Sequence, residues 1–217
     1  MQWINMALAA MLTGILFYLL QYRLDKSYSL HFKYRGKWIL DPIVVFTGII
    51  TFVGTAVIAA VRFPEMGNIQ CVSVMILLCG MAVLTVTDTK ITLIPNRILM
   101  ILFLLWTGVT GLAMIENISS GFELLCRSLG GGLISGIIFL LCYIISKGQM
   151  GAGDVKLAFV MGLFLTGDRI IGAIFYGTLL CGVYSLVQIL RKKLTLKNGV
   201  PMTPFLYAGT LITLVLR

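Results

Sequence analysis

Two aspartates lie beside long apolar segments. A carboxylate in such a position is energetically costly, so its presence there indicates a function. Asp154 opens one apolar segment, within the string Gly151-Ala152-Gly153-Asp154-Val155-Lys156. Asp88 ends another such segment, shortly before Pro95 and Asn96, which predict an interruption of the helix. Ionisable groups at membrane depth usually interact with another ionisable group, and each aspartate is the natural partner of the other. We therefore interpret Asp88 and Asp154 as a candidate catalytic pair.

Two carboxylates in a poorly solvated site cannot both ionise easily, so they are expected to share a proton. One then acts as general base on a water molecule, while the other donates a hydrogen bond to the carbonyl under attack. This is aspartic-protease chemistry, and it uses neither a metal nor a covalent nucleophile. The alternative is that Asp88 and Asp154 are ordinary helix-end residues, which are common in multispan proteins.

The sequence lacks the patterns of other hydrolase classes. It has no H-E-x-x-H string and no phosphate-binding loop, and its one histidine, His31, lies in a basic segment. Five cysteines stand singly in apolar surroundings, which predicts buried small side chains rather than zinc ligands or disulfides. They are Cys71, Cys79, Cys126, Cys142 and Cys181. No metal and no cofactor is predicted.

The composition predicts an all-α protein embedded in a membrane. Of the 217 residues, 59% are hydrophobic and 12% charged, and the mean hydropathy is +1.01. Such values exclude an ordinary soluble domain, and in lipid a chain of this kind forms a helical bundle. The whole chain, 1–217, is predicted to be a single domain. The net charge of +9 falls in the connections between spans, which indicates contact with anionic lipid and not with nucleic acid.

About eight apolar spans can be read along the chain. Their approximate bounds are 3–20, 42–61, 70–87, 97–115, 127–146, 154–166, 170–190 and 204–216. The residues between the fourth and fifth spans, 116–126, are predicted to be a polar loop. Ser128, Gly132 and Gly136 lie four residues apart on the fifth span, which predicts close packing of a neighbouring helix.

The basic residues predict how the bundle is oriented. With eight crossings, 13 of the 17 basic residues fall in connections on one side. The positive-inside rule makes that side cytoplasmic and puts the N and C termini outside. Asp88 and Asp154 then lie together at the cytoplasmic membrane edge.

Three motifs in this order resemble the type IV prepilin peptidases, or leader peptidases, which are membrane aspartic peptidases of the G-x-G-D class. The first is Asp88 followed by Ile94-Pro95-Asn96-Arg97, the second is Gly151 to Leu157, and the third is Pro201-x-x-Pro204-Phe205-Leu206. The resemblance covers the chain from Asp88 to the C-terminus. It implies that Asp88 and Asp154 are the catalytic pair. We expect substrate-binding or site-shaping roles for Pro95, Asn96, Gly151, Gly153, Lys156 and Pro204.

The same resemblance implies a substrate and a location. The substrate is a prepilin or pseudopilin precursor, whose basic leader is removed just on the cytoplasmic side of its hydrophobic helix. The enzyme would be a multi-pass protein of the cytoplasmic, or inner, membrane, with its site facing the cytoplasm. The expected partners are this precursor and membrane lipid.

The N-terminal part, 1–87, departs from the longer members of the family. Those enzymes also methylate the new N-terminus with S-adenosylmethionine and carry two C-x-x-C pairs in a cytoplasmic loop. Here the corresponding basic loop, 21–40, is short and has no cysteine. Zinc binding and methylation are therefore not predicted, and the peptidase core is 88–217.

Two other functions remain open from the sequence. A small proton- or cation-coupled transporter could use Asp88 and Asp154 as ion carriers. An intramembrane peptidase of the presenilin or signal-peptide-peptidase type shares the G-x-G-D chemistry but is expected to cut inside the substrate helix. Pro95 and Asn96, after the first aspartate, favour the leader-peptidase branch.

Overall fold

The computed structural model describes residues 11–23, 41–62, 66–146, 150–192 and 200–216. Those residues form eight α-helices, and no strand occurs among them. The first, α1, is helical over 11–23. The others are α2 (Pro42–Arg62), α3 (Asn68–Ile91), α4 (Asn96–Glu116), α5 (Ile118–Ile145), α6 (Ala152–Leu165), α7 (Gly167–Leu190) and α8 (Thr203–Leu216).

The predicted all-α membrane bundle is confirmed. Within the described residues, five helices are long and apolar enough to cross a membrane, namely α2, α3, α4, α5 and α7. Helix α8 is apolar but shorter, and α6 has only 14 residues. Eight helices therefore lie where eight spans were predicted, although two of them are too short for a straight crossing. Most of the predicted basic loop, 24–40, lies outside the described residues.

The prediction of a polar loop over 116–126 was wrong, because α5 begins at Ile118. The Asn117 side chain caps this helix by accepting hydrogen bonds from the backbone N–H groups of Ser119 and Ser120, at 3.0 and 3.3 Å. Such a cap satisfies donors that the first turn leaves unpaired. Glu123 and Arg127 then form an ion pair at i, i+4 spacing, 2.6 Å apart. The polar residues of this segment are helix-start residues, which composition alone does not distinguish from a loop.

Helix α3 is the centre of the bundle. It contacts α2, α4, α6 and α8, and 67% of its most apolar window is buried, the largest share among the five long helices. The buried face includes Leu77, Met81 and Leu84, none of which is exposed. Asp88 belongs to the last turns of this helix, which continues to Ile91. The central position of α3 therefore carries a carboxylate into the interior.

Small residues let α5 and α6 come into backbone contact. A Cβ atom added at Gly131 would lie 2.5 Å from the carbonyl oxygen of Gly162. Beside this crossing, the Ser135 hydroxyl donates a hydrogen bond to the Ala158 carbonyl at 2.8 Å. Gly132 and Gly136 pack against side chains of α6, so the small residues of α5 serve packing inside the bundle.

A buried ion pair ties the start of α2 to the end of α3. The Lys90 ammonium lies 2.7 Å from Asp41 Oδ2, and the Asp41 side chain is completely buried. Asp41 Oδ1 also accepts a hydrogen bond from the Ile43 N–H at 3.1 Å, so it caps the start of α2. The ion pair itself was not predicted.

Candidate active site

Both candidate aspartates line one cavity of about 490 Å³. It lies where the last turn of α3, the first turn of α6 and the start of α8 converge. Thr92, Ser146 and Cys181 add polar atoms to its wall. The remaining lining residues are Met150, Gly151, Val200, Pro201 and Met202. The cavity is thus polar at the two carboxylates and mostly apolar around them.

Asp88 is held by the start of α8. Its side chain is 5% exposed, and its Oδ2 accepts a hydrogen bond from the backbone N–H of Thr203 at 3.0 Å. Thr203 is the first residue of α8, where backbone N–H groups lack partners inside the helix. The positive end of the helix dipole also favours a carboxylate there. This contact joins the third sequence motif to the first.

Asp154 lies in the first turn of α6, at the end of a helix too short to be a membrane span. Gly151 is the N-cap residue of that helix, and a Cβ atom added to it would lie 3.2 Å from Asp154 Oδ2. Burial, together with the negative charge of Asp88, raises the pKa of Asp154 from 3.8 to about 6. A hydrogen bond with the Gly151 backbone acts in the opposite direction. Asp154 therefore takes up a proton more readily than an ordinary aspartate does.

The first and second motifs pack directly on each other. A Cβ atom added to Gly153 would lie 3.0 Å from the Cβ of Ile94, so a glycine at this position allows the close approach. Beside it, the Lys156 ammonium donates a hydrogen bond to Asn96 Oδ1 at 3.1 Å, at an exposed position. Pro95 is the buried N-cap residue of α4. These contacts fix the start of α6, and hence Asp154, relative to the chain that follows Asp88.

The chain leaves α3 through a strained residue. Thr92 is the C-cap of the helix, with φ 48° and ψ 41°, a left-handed conformation that non-glycine residues rarely adopt. Its N–H donates to the Asp88 carbonyl at 2.9 Å, and its side chain lines the cavity. Strain of this kind is concentrated at functional sites.

The predicted site residues do not all reach the cavity. Gly151 lines it with the two aspartates. Outside the cavity wall, Gly153 and Lys156 contact the chain just before and at the start of α4, which includes Pro95 and Asn96. Pro204 lies elsewhere, on a separate groove formed by α2, α7 and α8. Its position after Thr203 places it at the start of α8, so it belongs to the helix that donates to Asp88.

Sequence reasoning missed several residues of the cavity. Thr203 contributes only a backbone N–H, which no side-chain pattern reveals. Cys181 lines the cavity from α7. The prediction that all five cysteines are buried was wrong for Cys126 and Cys142, which are exposed on α5. Most residues of α5 are exposed, and the exposed face is largely apolar, so periodicity did not separate exposed from buried cysteines. Within the described residues, no three His, Cys, Asp or Glu side chains cluster as metal ligands would.

One known protein family matches the central part of the chain. The model of the type IV leader peptidase family matches residues 75–186, which is more than half of the 217 residues. The chain therefore belongs to that family. Asp88 and Asp154 both lie inside the matched region.

A similar protein of known name is the "Prepilin leader peptidase/N-methyltransferase" of Bacillus subtilis (strain 168). It is 28% identical over 154 residues, and the alignment covers 71% of this chain and 58% of that protein. The chain thus spans less than two thirds of the length of this relative. No solved structure matches the chain.

Proposed function

We propose that this chain is a membrane aspartic endopeptidase in which Asp88 and Asp154 together activate water. The observation that most supports this is the shared cavity, which both aspartates line from different helices. Burial and the negative charge of Asp88 both raise the pKa of Asp154, which favours a proton on the pair. Membership of a peptidase family supports the same reaction class.

The proposed reaction needs one proton on the pair. The ionised carboxylate removes a proton from a water molecule, and the oxygen of that water attacks the scissile carbonyl carbon. The protonated carboxyl donates a hydrogen bond to the carbonyl oxygen, on which negative charge develops. When the tetrahedral intermediate collapses, the C–N bond breaks and the leaving nitrogen takes up a proton from the pair. The two aspartates then return to sharing one proton.

The substrate we propose is a prepilin or pseudopilin precursor, in which a basic leader precedes a hydrophobic helix. Asp88 lies in the last turn of α3 and Asp154 in the first turn of α6, so the two carboxylates lie at helix ends. A site at that depth meets the junction between leader and helix without removing the helix from lipid. The excess of basic residues in the connections on this side supports a cytoplasmic orientation in the inner membrane.

We propose peptidase activity alone. The Bacillus subtilis relative carries N-methyltransferase in its name, but the loop 21–40 of this chain contains no cysteine pair. Incubation of cleaved substrate and purified protein with radiolabelled S-adenosylmethionine tests this. Transfer of label to the new N-terminus contradicts it.

The direct test of peptidase activity is cleavage of a purified pilin precursor by the purified protein in detergent. Asp88→Asn and Asp154→Asn should each lower the rate by roughly a thousandfold or more, since each removes one of the two carboxyl groups that exchange protons with the water and the substrate. Glu123→Gln is the matched control, because it also neutralises a carboxylate but at an exposed position of α5. Failure of the wild-type protein to cleave any such precursor contradicts the proposal.

The transporter alternative makes the opposite predictions. It predicts that the precursor remains uncleaved. It also predicts a pH-dependent ion flux in liposomes, which Asp88→Asn and Asp154→Asn each abolish. The match to a peptidase family does not favour it. An intramembrane peptidase would instead release a fragment cut within the helix, which the mass of the product distinguishes.

A further inference from the structure

A large groove lies next to the aspartate cavity, between α2, α7 and α8. Its volume is about 990 Å³, twice that of the cavity. Phe46 of α2, Val183 of α7 and Ala208 of α8 mark its three walls. Phe46 and Val183 are 65% and 54% exposed, on helices long enough to cross a membrane. The groove therefore opens toward the lipid.

The groove and the cavity are neighbours on either side of one turn of α3. Pro201 lines both of them. Thr85 and Thr89 border the groove, while Asp88, between them in sequence, borders the cavity. On α7, Leu180 lies in the groove and the next residue, Cys181, in the cavity. Residues that line the groove and residues that line the cavity are thus sequence neighbours on α3 and α7.

Three hydroxyl groups in the wall of the groove already donate hydrogen bonds within the protein. The Thr85 hydroxyl donates to the Met81 carbonyl at 2.8 Å, and the Thr89 hydroxyl donates to the Thr85 carbonyl at 2.7 Å. The Tyr207 hydroxyl donates to Thr51 Oγ1 at 2.9 Å. An apolar guest therefore costs little in lost hydrogen bonds at these groups.

Helix α7 has the least covered surface among the membrane-spanning helices. Only 17% of its most apolar window is buried, compared with 39% for α2 and 67% for α3. Its packing on α8 uses Gly177, where an added Cβ would lie 3.0 Å from the Cα of Leu206. Val183 and Val187, which line the groove from α7, are 54% and 40% exposed.

We propose that this groove holds the apolar helix of the substrate precursor, with the leader junction turned toward Asp88 and Asp154. This inference rests on the proposed function, and it adds where the membrane-embedded part of the substrate binds. On α8 the groove runs from Pro204 to Leu211, a distance of about 10 Å at 1.5 Å per residue. It thus accommodates about two turns of a helix, beginning at the level of the cavity. Ala208 in the wall permits a close helix approach.

The test fills the groove and compares two substrates. Ala208→Trp places a large side chain in the wall of the groove, and Ile101→Trp places the same side chain in a different apolar groove between α1, α3 and α4. Each variant is assayed with a full pilin precursor in liposomes and with a short peptide that contains only the leader and the cut site. For Ala208→Trp we expect the ratio of precursor to peptide cleavage to fall roughly tenfold or more, since only the precursor loses binding energy. For Ile101→Trp the ratio should match wild type.

A ratio unchanged in Ala208→Trp overturns the inference. If Ala208→Trp abolishes cleavage of both substrates, crosslinking decides. A photoreactive amino acid at Val183, in protein inactivated by Asp154→Asn, should crosslink to the apolar helix of a bound precursor. The same group at Ile101 should not crosslink to it. Crosslinks from Val183 to lipid alone, or equal crosslinking from both positions, overturn the inference. If wild type cleaves neither substrate, the proposed function fails, and that outcome is separate from the crosslinking result.

Discussion

The two aspartates have different surroundings, although they share a cavity. Asp88 is almost completely buried and bonded to a backbone N–H at a helix start. Asp154 is partly exposed, and burial and the Asp88 charge raise its pKa to about 6. The charge of Asp154 therefore costs folding free energy at neutral pH, which is a common property of catalytic groups.

That cost leads to a pH-dependent prediction for Asp154→Asn. The folded-state pKa is above the ordinary value of 3.8, so the cost is fully present above pH about 6 and disappears as the folded protein takes up the proton toward pH about 4. We expect Asp154→Asn to raise the Tm at about pH 8 and to leave it close to wild type at about pH 4. Thermal unfolding in detergent, followed by tryptophan fluorescence, measures both. A lower Tm at the higher pH contradicts the prediction.

Gly151→Ala should separate activity from stability. The added methyl group meets Asp154 Oδ2 at 3.2 Å, and this carboxylate can rotate away at little cost in free energy. A displaced carboxylate no longer aligns with the water and the carbonyl, so we expect kcat to fall roughly tenfold with little change in Tm. Gly108→Ala on α4 is the control, because a Cβ atom there meets nothing within 4 Å. Equal kcat in both variants contradicts the role given to Gly151.

At the scale of elements, contacts between helix ends determine where the aspartates lie. The Asp41–Lys90 ion pair joins α2 to α3, the Thr203 N–H joins α8 to α3, and Gly153 brings α6 against the chain before α4. The sequence motifs marked the residues on both sides of the last two contacts. They did not indicate the ion pair, because Asp41 and Lys90 are far apart in sequence and each has an ordinary role at a helix end.

Removal of one partner of the ion pair should be strongly destabilising. Lys90→Met leaves the fully buried Asp41 carboxylate without this ammonium, and a loss of about 3–5 kcal/mol is typical for a broken buried pair. The double variant Asp41→Asn with Lys90→Met should recover part of that loss, because the buried negative charge is removed together with the ammonium. Chemical unfolding of wild type, Lys90→Met, Asp41→Asn and the double variant in mixed micelles measures the coupling.

The exposed pair on α5 is the matched control for this comparison. The side chains of Glu123 and Arg127 are 62% and 69% exposed, and exposed pairs contribute at most about 1 kcal/mol. Arg127→Gln should therefore cost much less than Lys90→Met. Equal losses contradict the structural role of the buried pair.

Two neighbouring glycines of α5 should respond in opposite ways to alanine. At Gly131 the added Cβ meets the Gly162 carbonyl oxygen at 2.5 Å and the Thr166 Cα at 3.0 Å, both backbone atoms that cannot move aside. At Gly130 it meets nothing within 4 Å. We expect Gly131→Ala to lower the Tm, whereas Gly130→Ala should raise stability by up to about 1 kcal/mol through helix propensity. A tolerated Gly131→Ala contradicts the close α5–α6 crossing.

At the scale of the whole molecule, the sequence predicted more of the architecture than of the surfaces. Apolar runs predicted the helices because lipid forces each segment to satisfy its own backbone. Asp88 and Asp154 could be predicted as a pair from their positions at apolar edges. The start of α5 could not be predicted, since polar residues such as Glu123 and Arg127 are as common in loops as in exposed helix turns. The groove that includes Ala208 and Val183 could not either, because it depends on how three helices that are distant in sequence pack together.

The measurement that tests the account most directly is the single-turnover cleavage rate of a pilin precursor. It is compared for wild type, Asp88→Asn, Asp154→Asn and the double variant. If the two carboxylates act as one unit on one water, each single variant loses roughly a thousandfold or more, and the double variant is no slower than either. Retention of more than about a tenth of the wild-type rate by either single variant, or losses that multiply in the double variant, contradict the shared mechanism.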